Sequence, residues 1–315
     1  MEKPVILSYV KLHDDVEALL SKHGSVYQKD SPELEKILPE VDIVLCFYLN
    51  AEHLRKMKKL RLIQSVAAGV DALPWGEIPE NVMVCSNAGS NSDAVAEHAW
   101  ALILAEMKNL HIHAANMRKG IYDSSPGVRS LAGLTIGIIG MGSIGRRIAE
   151  VARAFKMRVM ATTRSGKSSL ECDFVGGPEA IDKVLSESDI VVLAAPLTKH
   201  TRWMIDKRRL ELMKKDAILV NIARADLVKR DDLIEFLRAN PEFRFASDVW
   251  WHHKERFAED AEITRFKNVI GTPWVAGGLG NDEVWFTMLR LAAENVVRFL
   301  KGETPHNIVS RSDYV

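Results

Sequence analysis

An apolar run, Leu134-Thr135-Ile136-Gly137-Ile138-Ile139, leads into Gly140-Met141-Gly142-Ser143-Ile144-Gly145 and then into the helix-favouring stretch Arg146-Arg147-Ile148-Ala149-Glu150-Val151-Ala152. Strand, glycine pattern and helix in that order describe a cradle for a phosphate. Gly140 permits the tight turn, Gly142 lets the backbone approach a pyrophosphate, and Gly145 lets the helix pack on the strand. The helix N-terminus, opening with Ser143 and Ile144, offers oriented N–H groups to an anion. The competing reading is a glycine-rich turn with no ligand, and the flanking strand and helix weigh against it. The chemistry expected here is the binding of a dinucleotide.

The following strand bears on which dinucleotide. It reads Arg158-Val159-Met160-Ala161-Thr162 and runs into Thr163-Arg164-Ser165-Gly166-Lys167. An NAD site usually ends this strand in Asp or Glu, which hydrogen-bonds the ribose 2′-hydroxyl. Thr163 stands there instead, so no carboxylate repels a 2′-phosphate. Arg164 can pair with that phosphate, assisted by Ser165 or Lys167. NADP(H) is therefore expected, with NAD possible; the bland alternative for Arg164 is a solvated loop residue.

The elements that must position these residues alternate short β-branched runs with longer helical patterns, the rhythm of an α/β protein with parallel sheets. Strands are predicted over 5–10, 42–46, 62–66 and 82–85, with helices over 16–23 and 54–57 between them. This first section reads as a small flavodoxin-type unit. One long helix is predicted from Ser92, as its cap, to about Lys119, ended by Gly120 and the loop Ser124-Ser125-Pro126-Gly127. A second α/β series runs from Leu134 to about Pro273. Gly277-Gly278-Leu279-Gly280 suggests a hinge, and a last helix covers 284–300.

Composition narrows the partners. The 315 residues hold 42 Lys plus Arg and 42 Asp plus Glu, so the formal net charge is zero. That balance gives no reason to expect a nucleic acid or an anionic membrane. No leader pattern and no long uncharged apolar window occur, which makes the cytoplasm the default location. Cys46, Cys85 and Cys172 lack metal or redox spacing and read as free thiols. No metal is expected: His252 and His253 are adjacent, and His111 and His113 lie on different faces of a helix.

Several segments, in order, resemble the D-isomer-specific 2-hydroxyacid dehydrogenases. They are Ser65-Val66-Ala67-Ala68-Gly69-Val70-Asp71, Val95-Ala96-Glu97-His98, the glycine pattern, Ala195-Pro196-Leu197-Thr198 with Thr201, Leu219-Val220-Asn221-Ile222-Ala223-Arg224, Ser247-Asp248-Val249 and Asn268-Val269-Ile270-Gly271-Thr272-Pro273. The cofactor loop is similar to that of the NADPH-dependent glyoxylate and hydroxypyruvate reductase branch. The resemblance implies a doubly wound Rossmann domain, residues 93–281, inserted into a smaller flavodoxin-like substrate domain, residues 1–92 plus 282–315. It implies a homodimer, a small anionic 2-oxo or 2-hydroxy acid in the cleft, and reduction of a compound such as glyoxylate or hydroxypyruvate. Carried over residue by residue, Arg224 is the substrate arginine and the backbone of Val66, Ala67, Ala68 and Gly69 holds the carboxylate. Pro196, Thr201, Ala223 and Asp248 join the glycine loop and Thr163-Arg164-Ser165 around the cofactor.

The sequence also departs from that pattern. The family's acid/base histidine is expected where Trp274 stands, and its glutamate partner where His253 stands. An indole N–H does not ionise at useful pH and cannot act as an acid. Ala225 and Asp226 replace the glycines expected after Arg224. Three readings follow: His253 or His252 supplies the proton; water or another group supplies it and turnover is slow; or the chain is a catalytically impaired or non-catalytic NADP(H)-binding homologue. Trp250, Trp251, Trp274 and Trp285 are read as packing residues, with a cluster at the cleft mouth as the alternative. His98 is read as a packing residue of the long helix.

Overall fold

The computed structural model describes residues 3–278 and 280–315. The expected hinge includes Leu279, which lies outside the described residues. The chain divides into two compact units, Met1–Asn91 with Gly280–Val315, and Ser92–Leu279.

The first unit is built on five parallel strands: β1 (Val5–Ser8), β2 (Ser25–Gln28), β3 (Val41–Cys46), β4 (Leu62–Ser65) and β5 (Met83–Cys85). Their order, β2-β1-β3-β4-β5, is that of flavodoxin-like sheets. Both faces of β3 and β4 are buried, as in a sheet covered on both sides, although Asp42, Gln64 and Ser65 interrupt their apolar runs. One face is covered by the helix Asp282–Leu300, whose Leu289, Ala292, Ala293 and Val296 pack against Ile6, Ile43, Leu45 and Leu62. Asn281 caps that helix by accepting from the N–H groups of Glu283 and Val284.

Seven parallel strands form the second unit: β6 (Thr135–Ile139), β7 (Arg158–Thr162), β8 (Phe174–Gly176), β9 (Ile190–Leu193), β10 (Ile218–Asn221), β11 (Arg244–Ser247) and β12 (Val269–Gly271). The order β12-β11-β10-β9-β6-β7-β8 is a doubly wound, Rossmann-type sheet. The chain leaves β6 in one direction toward β7 and returns on its other side at β9. That reversal is the topological switch point, where such sheets open a crevice at the carboxyl ends of the strands. The register is continuous there: Ile139 pairs with Leu193, Leu193 with Asn221, Asn221 with Ser247, and Ser247 with Gly271. Five loops therefore leave the sheet side by side, each about 4.8 Å from the next.

Two expectations need correction. The helix from Ser92 is not continuous but breaks into Ser92–Met107 and Leu110–Arg118. Asn109 at the break is left-handed, with φ 46°, a conformation that Asn tolerates better than most residues. Its side chain is tied to Gly127 and, at 2.9 Å, to Arg244, which also bonds Glu106. Burial of Glu106 pushes its carboxyl up, and the adjacent Arg244 opposes that shift. Ser92 does not cap: it is the first helical residue, and its buried hydroxyl has no partner among the described residues.

Candidate active site

The glycine loop follows β6 and begins the helix Ser143–Ala154. Its three glycines differ in what surrounds them. Gly140 has φ 104°, and a Cβ there would lie 2.6 Å from the backbone nitrogen of Ala195 on the loop after β9. A Cβ on Gly145 would lie 2.3 Å from the carbonyl oxygen of Gly140. Both are glycine because backbone presses on backbone. Gly142 is different: a Cβ there meets nothing within 4 Å. Gly142 is the residue before the helix and carries no capping side chain. Open space thus lies beside the start of the helix, and its first N–H groups, with the glycines present, suit the phosphates of a dinucleotide.

Beyond β7 the loop 163–167 closes on itself. Thr163 Oγ1 accepts from the N–H of Lys167 at 3.0 Å, and Gly166 takes a φ of 67° to complete the turn. Thr163 is therefore the brace of the loop, and Arg164 and Ser165 are its exposed tip. After β9, Thr201 Oγ1 donates to Pro196 O at 2.6 Å and accepts from the N–H of Thr198 at 2.8 Å, so it shapes the turn that presents exposed Pro196.

Arg224 stands at the end of β10 in extended backbone, φ −144° and ψ 141°. Asn221, the last residue of β10, holds that turn from within: its Nδ2 donates to Arg224 O at 2.8 Å, and its Oδ1 accepts from the N–H of Ala223 at 3.1 Å. Ala225 and Asp226 begin a short 3-10 turn, and Asp226 pairs with Arg202.

The buried carboxylate after β11 belongs to Asp248, 1% exposed. Oδ1 accepts from Thr272 Oγ1 at 2.6 Å and from the N–H of Val275 at 2.9 Å; Oδ2 accepts from the N–H of Ala276 at 2.8 Å. Asp248 O accepts from the N–H of Trp274 at 2.9 Å. The aspartate is thus the organiser of the loop after β12. His98 completes the set, with Nε2 at 2.8 Å from Thr272 Oγ1. Since the threonine hydroxyl gives its one proton to Asp248, His98 Nε2–H is the donor in that contact. The sequence reading of His98 as packing missed this role; only the spatial meeting of Asp248 with Thr272 reveals it.

Trp274, at the centre of that loop, has φ 59° and is 49% exposed. For a large side chain a left-handed backbone is a strained state, sustained here by the bonds to Asp248. The indole N–H meets no acceptor among the described residues. The ring of His253 lies 6.1 Å from the Trp274 ring at 57°, and its imidazole makes no hydrogen bond among the described residues. His252 is fixed instead: Nδ1 lies 2.9 Å from Asp260 Oδ1 and Nε2 lies 3.1 Å from Glu259 Oε2. Of the two histidines, only His253 reaches Trp274. Trp250 and Trp251 are packing residues whose indoles donate to Thr272 O and Val228 O. Trp285 belongs to the first unit, stacked on Phe47 at 5.4 Å.

In the first unit, the loop after β4 carries Val66, Ala67, Ala68 and Gly69. Val66 N–H donates to Cys46 O and Ala67 N–H to Ser65 Oγ, both at 3.0 Å. Those donors are spent. The N–H groups of Ala68 and Gly69 meet no acceptor among the described residues, so the expected four-residue cradle narrows to two.

These observations define a doubly wound dinucleotide-binding fold joined to a flavodoxin-like unit. Residues 100–276 match the family described as D-isomer specific 2-hydroxyacid dehydrogenase, NAD binding domain. The chain is 31% identical over 330 aligned positions to a glyoxylate reductase of Aeropyrum pernix, covering 99% of this chain and 97% of that protein. It is 33% identical to a glyoxylate reductase of Pyrococcus furiosus, over 88% and 84% of the two chains. The chain belongs to the D-isomer specific 2-hydroxyacid dehydrogenase family. Among solved structures, a Pyrobaculum aerophilum protein provisionally described as a formate dehydrogenase matches with a TM-score of 0.88 and 36% identity, covering all of both chains. An acyclic imino acid reductase solved with NADPH and D-Arg matches with a TM-score of 0.80 and 25% identity, over 97% and 100% of the two chains.

Proposed function

We propose that this protein is an NADPH-preferring oxidoreductase that reduces a small 2-oxo acid of the glyoxylate or hydroxypyruvate kind. The observation that carries the reading is the alignment of the glycine loop and Arg224 on one carboxyl edge, two strands apart in register. The first N–H groups of Ser143, Ile144 and Gly145 hold the pyrophosphate, with Gly140, Gly142, Pro196, Thr201, Ala223 and Asp248 shaping the walls. Arg164 and Ser165 take the 2′-phosphate, and the NADPH of one solved relative supports that preference. When bound, the nicotinamide supplies the hydride. Arg224 holds the substrate carboxylate through paired guanidinium hydrogen bonds. In the first unit, Ala68 and Gly69 offer N–H groups to the same kind of anion. His253 is the proton source for the developing alkoxide, since His252 is tied to Asp260 and Trp274 cannot ionise.

The non-catalytic reading has less support, because full-length relatives carry reductase activities in their names. We place the enzyme in the cytoplasm, in keeping with three free cysteines; burial pushes the Cys46 thiol up to about 12. We also assign a homodimer formed through residues 110–128, where Leu110, Met117, Ile121, Tyr122 and Val128 are exposed and Tyr122 reaches 92%. Light scattering should give twice the 35.3 kDa chain mass; a monomer at micromolar concentration would remove that assignment.

The test of function is NADPH oxidation with glyoxylate, hydroxypyruvate and pyruvate, with Arg224→Ala and Arg164→Asp beside the wild type. Arg224→Ala should lower kcat/KM by about 10²-fold or more while leaving NADPH affinity intact. Arg164→Asp should weaken NADPH much more than NADH. Equal losses for both cofactors would overturn the 2′-phosphate assignment, and turnover indifferent to Arg224 would overturn the substrate assignment.

A further inference from the structure

The carboxyl edge of the second unit holds a cation for a carboxylate, but the acid proposed above for an oxygen, His253, is held in place by no hydrogen bond among the described residues. Its buried carboxylate, Asp248, is spent on Thr272, Val275 and Ala276. His252 is held by Asp260 and Glu259. What the β12 loop presents is the Trp274 indole, 49% exposed and kept in a left-handed backbone by bonds to Asp248. His253, on a different loop, stands at its edge 6.1 Å away. A carbonyl needs a proton as the hydride arrives. An indole withholds one, but its face attracts positive charge, more strongly than any other side-chain ring.

We infer that the better substrate of this site is the protonated imine of a small 2-oxo acid, a 2-iminio acid, held by Arg224 through its carboxylate and by the Trp274 face through its cationic nitrogen. The proposal rests on the oxidoreductase reading above and changes the group reduced from C=O to C=N. The step balances without an acid. The hydride adds to the C=N carbon, the C=N π pair becomes the lone pair on nitrogen, and the product is a secondary or primary 2-amino acid with the reduced nicotinamide dinucleotide oxidised. No proton leaves the protein. An imidazolium at position 274 would repel the substrate's charge; an indole stabilises it.

The experiment compares glyoxylate alone with glyoxylate plus methylamine at pH 8, following NADPH oxidation and sarcosine formation. In parallel, calorimetry measures binding of sarcosine and of glycolate to the enzyme saturated with NADP⁺. Wild type should turn over the amine-containing mixture about tenfold faster or more and bind sarcosine about tenfold more tightly than glycolate. Trp274→Ala should remove the binding preference. Trp274→His should reverse the turnover preference toward free glyoxylate. Turnover of glyoxylate unaffected by methylamine overturns the imine assignment and leaves the 2-oxo acid reading standing. Absence of turnover on both overturns the reductase reading. Even then, equal affinity for sarcosine and glycolate overturns the role given to Trp274. Retained NADP⁺ binding by each variant shows that it is folded.

Discussion

Two loops on the same sheet edge reach left-handed backbone by opposite means. After β6 the positive φ falls on Gly140, where a side chain would collide with Ala195. After β12 it falls on Trp274, where a large side chain is present and half exposed. The first loop takes its shape from what is missing, a Cβ. The second takes its shape from what is added, a buried carboxylate with three hydrogen bonds to its oxygens. A turn that relies on glycine needs no outside support. A turn that forces tryptophan into strain depends on its anchor, and the strain marks the position as selected for something other than stability.

The comparison can be broken at the anchor first. Asp248→Ala leaves two backbone N–H groups and a threonine hydroxyl without their acceptor in a buried place. It should cost about 3 kcal/mol in the second unit, read as a lowered urea midpoint; a loss under about 1 kcal/mol would mean that the β12 loop holds itself. Gly140→Ala comes next, at about 2 kcal/mol, because backbone would have to move. Its contrast is Gly142→Ala. That Cβ meets no atom of the described residues within 4 Å, so stability should hold within about 0.5 kcal/mol. Dinucleotide affinity should nonetheless fall about tenfold or more, measured by titration of the folded variant. Unchanged affinity would mean that the open space over Gly142 is not where the pyrophosphate lies. The smallest effect belongs to Trp274→Asn. Asn accepts φ near 60°, so stability should stay level or rise by up to about 1 kcal/mol. A clear loss would show that the indole contributes packing that its exposure does not suggest.

The residues differ in how far the sequence exposed them. The glycine loop was readable because its three roles depend on local order, strand then turn then helix, and the structure distributes those roles among Gly140, Gly142 and Gly145. Both α/β series were readable from the alternation of short β-type runs with helical patterns, and largely apolar runs such as 43–46 and 134–139 marked individual strands. The edge strands Ser25–Gln28 and Phe174–Gly176 were not resolved one by one, because their half-buried residues carry no continuous apolar signal. The break at Asn109 escaped notice because nothing local stops the helix there; Arg244, distant in sequence, latches it. Likewise, Val66 and Ala67 offer backbone donors on paper, yet Cys46 O and Ser65 Oγ use them. Partners brought in from other strands decide which groups stay open, and spacing alone does not encode that.

The way the first unit is completed has a consequence for synthesis. Its sheet is made from residues 5–85, but the helix Asp282–Leu300 that covers Ile6, Ile43 and Leu62 is translated only after the whole second unit. Asn295 then hydrogen-bonds Gln64 at 2.7 Å, and Ile308 bridges to Cys85. The second unit is contiguous and can fold as it emerges from the ribosome. The first must wait with an uncovered apolar face, while the entropic cost of joining its two segments grows only slowly with the length inserted between them. Elongation rate and chaperone supply therefore bear on the earliest-made part of this chain more than on the part that follows it.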